Sequence, residues 1–508
     1  MAERLIAVDL AKVVRMDDGR HLTTLAWGDR VDVVAETDRH VEVRLTIFEE
    51  QEDRSRTPVE VRGRIAKRGR DPVVVAPGRL RLLKVDFVDV QQGDGAVLQT
   101  PGGKTVLIDG GDNQLFARYL AGKFRGTSAQ QPKQIDAIVV SHGDADHFAG
   151  LPEIARSEAL TDRPHKQLFI RPLNVFHNGL VKRTKRRGER GDGELFGRAV
   201  AVDGRLAITD LHDDLLSVPD AAMNDEFLAW KQALVHWRDT QGPIAIERLE
   251  FGDDAKLAFL EEPRLTFEVL GPFTEQVRDG ARRRAALPFL GEPLERFGHP
   301  SRAPRRYSRS PSASHTINGH SIVLRIGFGD WHLLFAGDLN EQAEEALVAA
   351  DADRRIALRS EVLKVPHHGS ADFLFDFLRA VSPVVSVVSS GDENAQKEYI
   401  HPRATLIAGL GRCGRGEGAV VFVTELVAFF KTEGWVERAR PLHRGDKVPS
   451  RSGPFFGFSR EAFGTVRVRT NGERLLVFTD SGLPDLKEAY AFVLDARGDA
   501  MPQRLIRA

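Results

Sequence analysis

The densest chemistry in the sequence is Ser141-His142-Gly143-Asp144-Ala145-Asp146-His147. Two imidazoles and two carboxylates within six residues offer donors suited to a pair of hard-to-borderline divalent cations. An apolar run, 138–140, leads straight into the cluster. That puts it on a loop at the carboxyl end of a strand, where open α/β sheets place their sites. The alternative is a polar helix cap with solvated histidines. A second apolar run, Val362-Leu363-Lys364-Val365-Pro366, ends in His367-His368-Gly369-Ser370. A third ends in Phe335-Ala336-Gly337-Asp338, whose carboxylate could equally cap a helix starting at Asn340. His401, before Pro402, closes the next element as a ligand or a substrate contact. Asp109 and Asp112 end another strand. Asp94 lies in Gln91-Gln92-Gly93-Asp94-Gly95, loop-forming or near the metals. A carboxylate such as Asp109 would orient a ligand histidine, or else serve only as an Asp-Gly turn.

These groups need elements to hold them. LKVDFVDV, GAVLQT and KTVLIDGG read as strands, NQLFARYLAGKF as a helix and DAIVVSHG as a buried strand. Strand–helix–strand order predicts a layered α/β domain. HSIVLRIGFGDWHLLFAGD predicts a hairpin, followed by the helix NEQAEEALVAADA. EVLKVPHHGS, DFLFDFLRAV and VVSVVSS then repeat strand–helix–strand. Residues 1–80 alternate apolar and polar, as in HVEVRLTIFEE, which predicts short strands and a small β-barrel-like domain. The layered α/β region spans 81–415, with a less regular insertion over about 155–315. The insertion carries an amphipathic helix over 221–239 with Phe227, Leu228, Trp230, Leu234 and Trp237 available for burial. Residues 416–508 form a β-rich extension. No internal repeat of fixed period is visible.

Two stretches are basic. KRTKRRGER, 182–190, has six cations against one anion; 278–309 holds nine Arg against three acids and reads as a long mobile loop. Lys182, Arg183, Lys185, Arg186 and Arg187 could grip a phosphate backbone, or could be an ordinary solvated loop. Over all 508 residues the balance is even, 72 Lys+Arg against 73 Asp+Glu, so any nucleic-acid binding must be local. An apolar fraction of 42% with 29% charged residues excludes global disorder and fibres. One cysteine, Cys413, excludes an internal disulfide and a Cys-based zinc site. No signal peptide or membrane span is visible, which predicts a soluble, cytoplasmic protein. No Gly-x-x-x-x-Gly-Lys-Ser/Thr loop or Gly-x-Ser-x-Gly elbow competes.

The loop at 141–147 reads His-x-Asp-x-Asp-His and resembles the His-x-His-x-Asp-His signature of the metallo-β-lactamase superfamily. The Asp variant resembles the hydrolase domain of the ComEC DNA-uptake proteins. VDFVDVQQGDGAVLQTPGGKTVLIDGG, SHGDADHFAGL, NGHSIVLRI, LLFAGDLNE, LKVPHHGS and YIHP match that domain's motifs in order, over roughly 82–415 without the insertion. The resemblance implies an αββα sandwich binding two divalent metal ions, zinc or manganese, with magnesium possible. It implies His142 and Asp144 on one ion, Asp146 and His147 on the other, Asp338 bridging and His368 completing the second. His367 would contact substrate or orient a ligand. The superfamily's third histidine on the first ion has no clean counterpart. Asn318 and Ser321 match the ComEC-like pattern there, and His315 and His177 are the local candidates.

The implied reaction is hydrolysis by a hydroxide activated between two metals, with Asp146, His368 and His367 at the catalytic centre. The Asp at 144 makes the site harder and more anionic, which favours a phosphodiester, and DNA is the implied substrate. The alternatives are a hydrolase of a small metabolite (cyclic nucleotide, phosphonate, lactone or thioester) and a regulated scaffold with a weak site. The amino-terminal barrel or the carboxy-terminal extension could recruit a protein partner, and the oligomeric state is open. ComEC proteins have membrane helices and this sequence shows none.

Overall fold

Side-chain alternation decides which way each central strand faces. On Gly95–Gln99, Thr105–Asp109 and Ala137–Val139, the residues Ala96, Leu98, Val106, Ile108 and Val139 enter one core, while Val97, Leu107 and Ile138 enter another. The first core lies between two sheets and the second beneath helices. The computed structural model describes residues 2–50, 56–67, 69, 71–184, 192–294, 307–308, 310–391, 401–415, 419–424, 463–481, 487–495 and 500–507.

One sheet has ten strands. It runs from Ala245–Arg248 through Asn174–His177, Ala137–Val139, Thr105–Asp109, Gly95–Gln99 and Leu83–Phe87, then on through Phe463–Thr470, Arg474–Ser481, Glu488–Leu494 and Ala500–Arg507. The other has six, in the order Leu265–Gly271, Val323–Phe328, Trp331–Phe335, Val362–Lys364, Val385–Val388 and Val420–Val423. Phe267, Leu324, Ile326, Leu333, Phe335 and Val385 face Val85, Leu98, Val106 and Val139 across the gap. Helices Leu115–Lys123 and Asp225–Gln241 cover the outside of the first sheet; Glu341–Ala352, Phe375–Val381 and Ala404–Cys413 cover the second. Helix, sheet, sheet, helix is the layering implied by the resemblance.

The described strands beyond the anticipated boundary at 415 do not form a separate unit. Val420–Val423 pairs in parallel with Val385–Val388 and completes the second sheet. Phe463–Thr470 pairs antiparallel with Leu83–Phe87, so the later strands widen the first sheet. The 278–309 stretch also differs from a mobile loop. Glu275–Asp279 and Arg282–Pro288 form a hairpin whose Arg284 pairs with Asp279 at 3.3 Å; residues 295–306 and 309 lie outside the described residues. The insertion's helix is Asp225–Gln241, capped by Asn224, with Phe227, Trp230, Leu234 and Trp237 buried. The amino-terminal residues form a seven-stranded antiparallel sheet around their own core of Val13, Val41, Val43 and Ile65.

A buried ionic knot ties these regions together. Arg469, on the first of the added strands, donates to Asp86 Oδ1 at 2.8 Å. Lys123 and Tyr119 bond the other oxygen at 2.6 and 2.7 Å. The amino-terminal sheet joins through Arg474–Asp9 and through Trp27, packed with Leu476 and Phe478. Breaking a buried pair from one side leaves an uncompensated charge, which costs about 3–5 kcal/mol. Because Asp86 keeps Lys123 and Tyr119, we expect Arg469→Ala to lose less than that in denaturant unfolding, and Arg474→Ala, at a partly exposed pair, to lose less again.

Candidate metal centre

The loop 141–147 leaves the strand Ala137–Val139 at the rim of the first sheet, and its first side chain anchors it. Ser141 donates from both N–H and Oγ to the carboxylate of Asp109, each at 2.7 Å. Asp109 also meets His147 Nδ1 at 2.9 Å, which turns Nε2 toward the opposite sheet. Glycine at 93 is required: with φ at 103°, a Cβ there would lie 1.8 Å from the Asp146 carbonyl. The close approach lets Asp94 N–H donate to that carbonyl at 3.2 Å, and Gln92 Nε2 donate to Asp146 Oδ2 at 3.2 Å.

The second sheet supplies the facing donors. Asp338 follows Trp331–Phe335, and its N–H donates to Ser321 Oγ at 3.0 Å. Asn340, not Asp338, caps the following helix, so the Asp338 carboxylate is available to the site. His367 and His368 both adopt left-handed backbone, φ 49° and 52°. Such conformations cost about 1–3 kcal/mol each away from glycine and gather where function over-determines the chain. The turn aims His368 inward, with Nδ1 fixed on the Ser389 carbonyl at 3.0 Å.

Asp146, His147, Asp338 and His368 each present a donor atom within 4.8 Å of all the others. His147 Nε2 is 3.2 Å from Asp338 Oδ1, and His368 Nε2 lies 3.1 Å from Asp338 Oδ2 and 3.3 Å from Asp146 Oδ2. Yet His147 Nε2, His368 Nε2 and Asp338 Oδ1 are buried with no well-directed hydrogen bond. These atoms lie within 4.8 Å of one another, and buried polar atoms left in that state fit an ion. Two nitrogens and two carboxylates suit zinc or manganese. A second grouping, Asp94, Asp109 and His147, lies behind the first. There Asp109 already holds His147, and Lys364 pairs with Asp94. That grouping orients ligands.

Burial disfavours charge on every one of these groups, and their neighbours decide the outcome. For His147, Asp338 and Asp109 outweigh burial and hold the imidazole well above its usual pKa; for His368, Asp338 and Asp94 do the same. Burial would raise Asp338, but His368 and His147 take it well below the usual carboxylate range. Burial raises Asp144, with Lys182 opposing. His142, buried beside His147, is held well below the usual imidazole value by burial and that neighbour.

The other candidates take varied places. His142 is fully buried, so the solvated-cap alternative does not describe it; its Nδ1 faces Ser141 Oγ at 3.2 Å and Ser321 Oγ at 3.3 Å. Asp144 Oδ1 holds Lys182 Nζ at 3.0 Å. Asn318, with its amide nitrogen toward Asp144, donates to Oδ2 at 3.0 Å, and its oxygen faces His367 Nε2 at 3.4 Å. His177 is turned away, accepting from Gly179 N–H and meeting the Asp213 carbonyl. His315 faces Asp372 at 3.5 Å in an adjoining cavity of about 280 Å³. Neither joins the four-donor cluster.

A cleft of about 580 Å³ opens over the centre, lined among others by Gln92, Asp112, Lys182, Asn318, His367 and His401. Burial, then His367, pushes His401 down to about 4, so it faces the cleft neutral. Arg183 is turned to Asp210 at 2.7 Å, and Lys185, Arg186 and Arg187 lie outside the described residues. Of the basic stretch, Lys182 is thus the described cation that reaches the centre. Lys364 is the functional residue that motif reading passed over. It is 4% exposed, contacts Asp94, donates to the Gly337 carbonyl at 3.2 Å and lies 3.9 Å from Asp338. A lysine after an apolar run reads as one that snorkels to solvent; the carboxylate that holds it inside comes from 270 positions earlier in the chain.

Residues 88–232 match the family model described as metallo-beta-lactamase superfamily. The chain is also 45% identical over 86 residues to Competence protein ComA of Neisseria gonorrhoeae. That match covers 17% of this chain and 12% of the relative.

Two outcomes check this centre. Replacing Asp109 by Asn removes the negative charge that fixes His147 and turns one of its two acceptor oxygens into a donor, and losses of this kind weaken metal binding about 10–100-fold; calorimetric titration with Mn²⁺ or Zn²⁺ reads it directly. The second concerns pH. Raised pKa values mean that His147 and His368 hold protons as pH falls, and each proton must leave before its nitrogen can ligate. Affinity should therefore fall with pH by up to about tenfold per unit for each displaced proton, and level off above the raised values.

Proposed function

From a chain that carries a metallo-β-lactamase superfamily domain of the ComEC-like kind, we propose a metal-dependent phosphodiesterase, a nuclease that hydrolyses DNA. The observation that carries this reading is the convergence of Asp146, His147, Asp338 and His368 on one point at the floor of a polar cleft. A divalent ion held there supplies a Lewis acid for a phosphoryl oxygen and lowers the pKa of water so that hydroxide is available near neutral pH.

The chain's own groups do the rest. Asp109 keeps His147 in one tautomer by accepting a hydrogen bond from Nδ1–H. The Ser389 carbonyl does so for His368. Gln92 steadies Asp146 at the side that faces the cleft. His367 and His401, their rings 6.1 Å apart, stand at the mouth, where an imidazole can donate to a phosphate oxygen or to the leaving alkoxide. Lys182 gives the same wall a positive charge. The partial match to a competence protein supports DNA as the polymer; with Asp112, Asp144, Asp146, Glu226 and Asp338 lining the cleft, an anionic diester would be drawn by the held ion and Lys182. No helix among the described residues is long and apolar enough to cross a membrane.

The test is cleavage of linear single- and double-stranded DNA with Mn²⁺, Mg²⁺ or Zn²⁺, comparing the wild type with Asp146→Ala. We expect metal-dependent cleavage that falls by about 10²–10³-fold or more in the variant, the scale of losing one preorganised electrostatic contact to a transition state. Metal bound with no nucleic acid cut, but a chromogenic small diester hydrolysed, would replace DNA by a small-molecule substrate. For the basic stretch, Lys185, Arg186 and Arg187 changed together to Ala should weaken long DNA and flatten its salt dependence while sparing the small diester.

A further inference from the structure

The half of the centre built on His142 and Asp144 differs from the half just described. Four side chains converge on one point around Asp338. Around Asp144, Oδ1 is engaged by the Lys182 ammonium at 3.0 Å, and Oδ2 lies 3.0 Å from the Asn318 amide, which donates to it with its nitrogen turned that way. His142 Nδ1 lies against two hydroxyls, those of Ser141 and Ser321. His315 turns Nδ1 to Asp372, and backbone groups hold both nitrogens of His177.

Lys182 is held where it is by more than its charge. Its carbonyl accepts from Asn224 N–H at 2.9 Å, at the residue that caps the Asp225–Gln241 helix. The next residue, Arg183, donates from its N–H to the Leu195 carbonyl at 2.8 Å and pairs with Asp210. The insertion thus delivers an ammonium group to the wall of the metal cleft on a pinned backbone. With its side chain 31% exposed, the ammonium still faces that cleft.

We propose that this protein works with one divalent ion, held by Asp146, His147, Asp338 and His368, and that the Lys182 ammonium takes the place of a second. An ammonium supplies one positive charge and three donors and is not a Lewis acid. It neutralises Asp144 and can bind a non-bridging oxygen of an anionic substrate, but it does not activate water. The two tasks that paired ions share, generating a nucleophile and clamping the anion, are here divided between one ion and one lysine. The inference rests on the proposed function for the identity of the anion, and on the side-chain geometry alone for the count of ions.

Metal content of the full chain tests it. Protein equilibrated with Mn²⁺ and then dialysed is assayed by plasma mass spectrometry and by electron paramagnetic resonance. One Mn per chain is expected, with the spectrum of an isolated ion, and none in Asp146→Ala. Lys182→Ala frees Asp144, so it should take up a second, weaker ion and show an exchange-coupled spectrum. Lys182→Arg keeps the charge and should stay at one. Thermal melting of each variant against wild type establishes that it is folded. Two tightly held, coupled ions in the wild type would overturn the proposal and leave the phosphodiesterase reading standing. A Lys182→Ala protein that stays at one ion would remove Lys182 as the cause. An ion retained by Asp146→Ala would place it elsewhere, and no ion in the wild type would sink both readings.

Discussion

The imidazole of His147 is clasped between Asp109 on one sheet and Asp338 on the other, and the rest of the centre depends on that clasp. The strand Thr105–Asp109 fixes one side of the ring; the chain leaving Trp331–Phe335 fixes the other. The distance between the sheets is set by Phe335, Phe87, Leu98 and Val106 in the gap, not by the polar groups at its rim. Close packing makes that spacing stiff. A donor cluster split evenly across it inherits the stiffness. Asp146 and His147 come from one layer and Asp338 and His368 from the other, so neither layer alone has a binding site.

Charge follows from the same arrangement. Asp94, Asp109, Asp144, Asp146 and Asp338 crowd a small region, most of it excluded from water. Five carboxylates there are tolerable only with cations among them. The two lysines stand at different depths. Lys364 is internal and braces Asp94 behind the ligands; Lys182 arrives from the insertion and faces the cleft. Between them lies the point where the orphaned nitrogens aim.

Much of this was legible in the residues. Apolar runs that end abruptly in His or Asp announce strands whose last residues do chemistry, and the loop at 141–147, Asp338 and His367-His368 all carry that pattern. The unbroken apolar run in DAIVVSHG foretold a strand buried on both faces, and Ile138 and Val139 enter different cores. What local pattern does not carry is pairing at long range. Phe463–Thr470 reads as half of a separate β unit until Leu83–Phe87 is placed beside it. Val420–Val423 reads as the start of an extension until Val385–Val388 claims it. The side-chain partners of Lys182 and Lys364 belong to the same class, since a lysine gives no local sign of which carboxylate it will meet. His315 and His177 show the converse: their neighbourhood in the sequence suggested ligands, but Nδ1 of His315 faces Asp372 and backbone groups hold both nitrogens of His177.

The widening of the first sheet by Phe463–Thr470 has a consequence for how the molecule comes into being. Asp86 and Arg469 are 383 positions apart, so the edge at Leu83–Phe87 stays bare until that much more of the chain has left the ribosome. An uncovered strand edge invites pairing with other chains, and contacts of such long separation form late and slowly. Asp86, already charged and destined for burial, keeps that edge in water during the wait. Until the last strands arrive, the carboxylate acts as a guard against aggregation; once Arg469 reaches it, the same group becomes the latch.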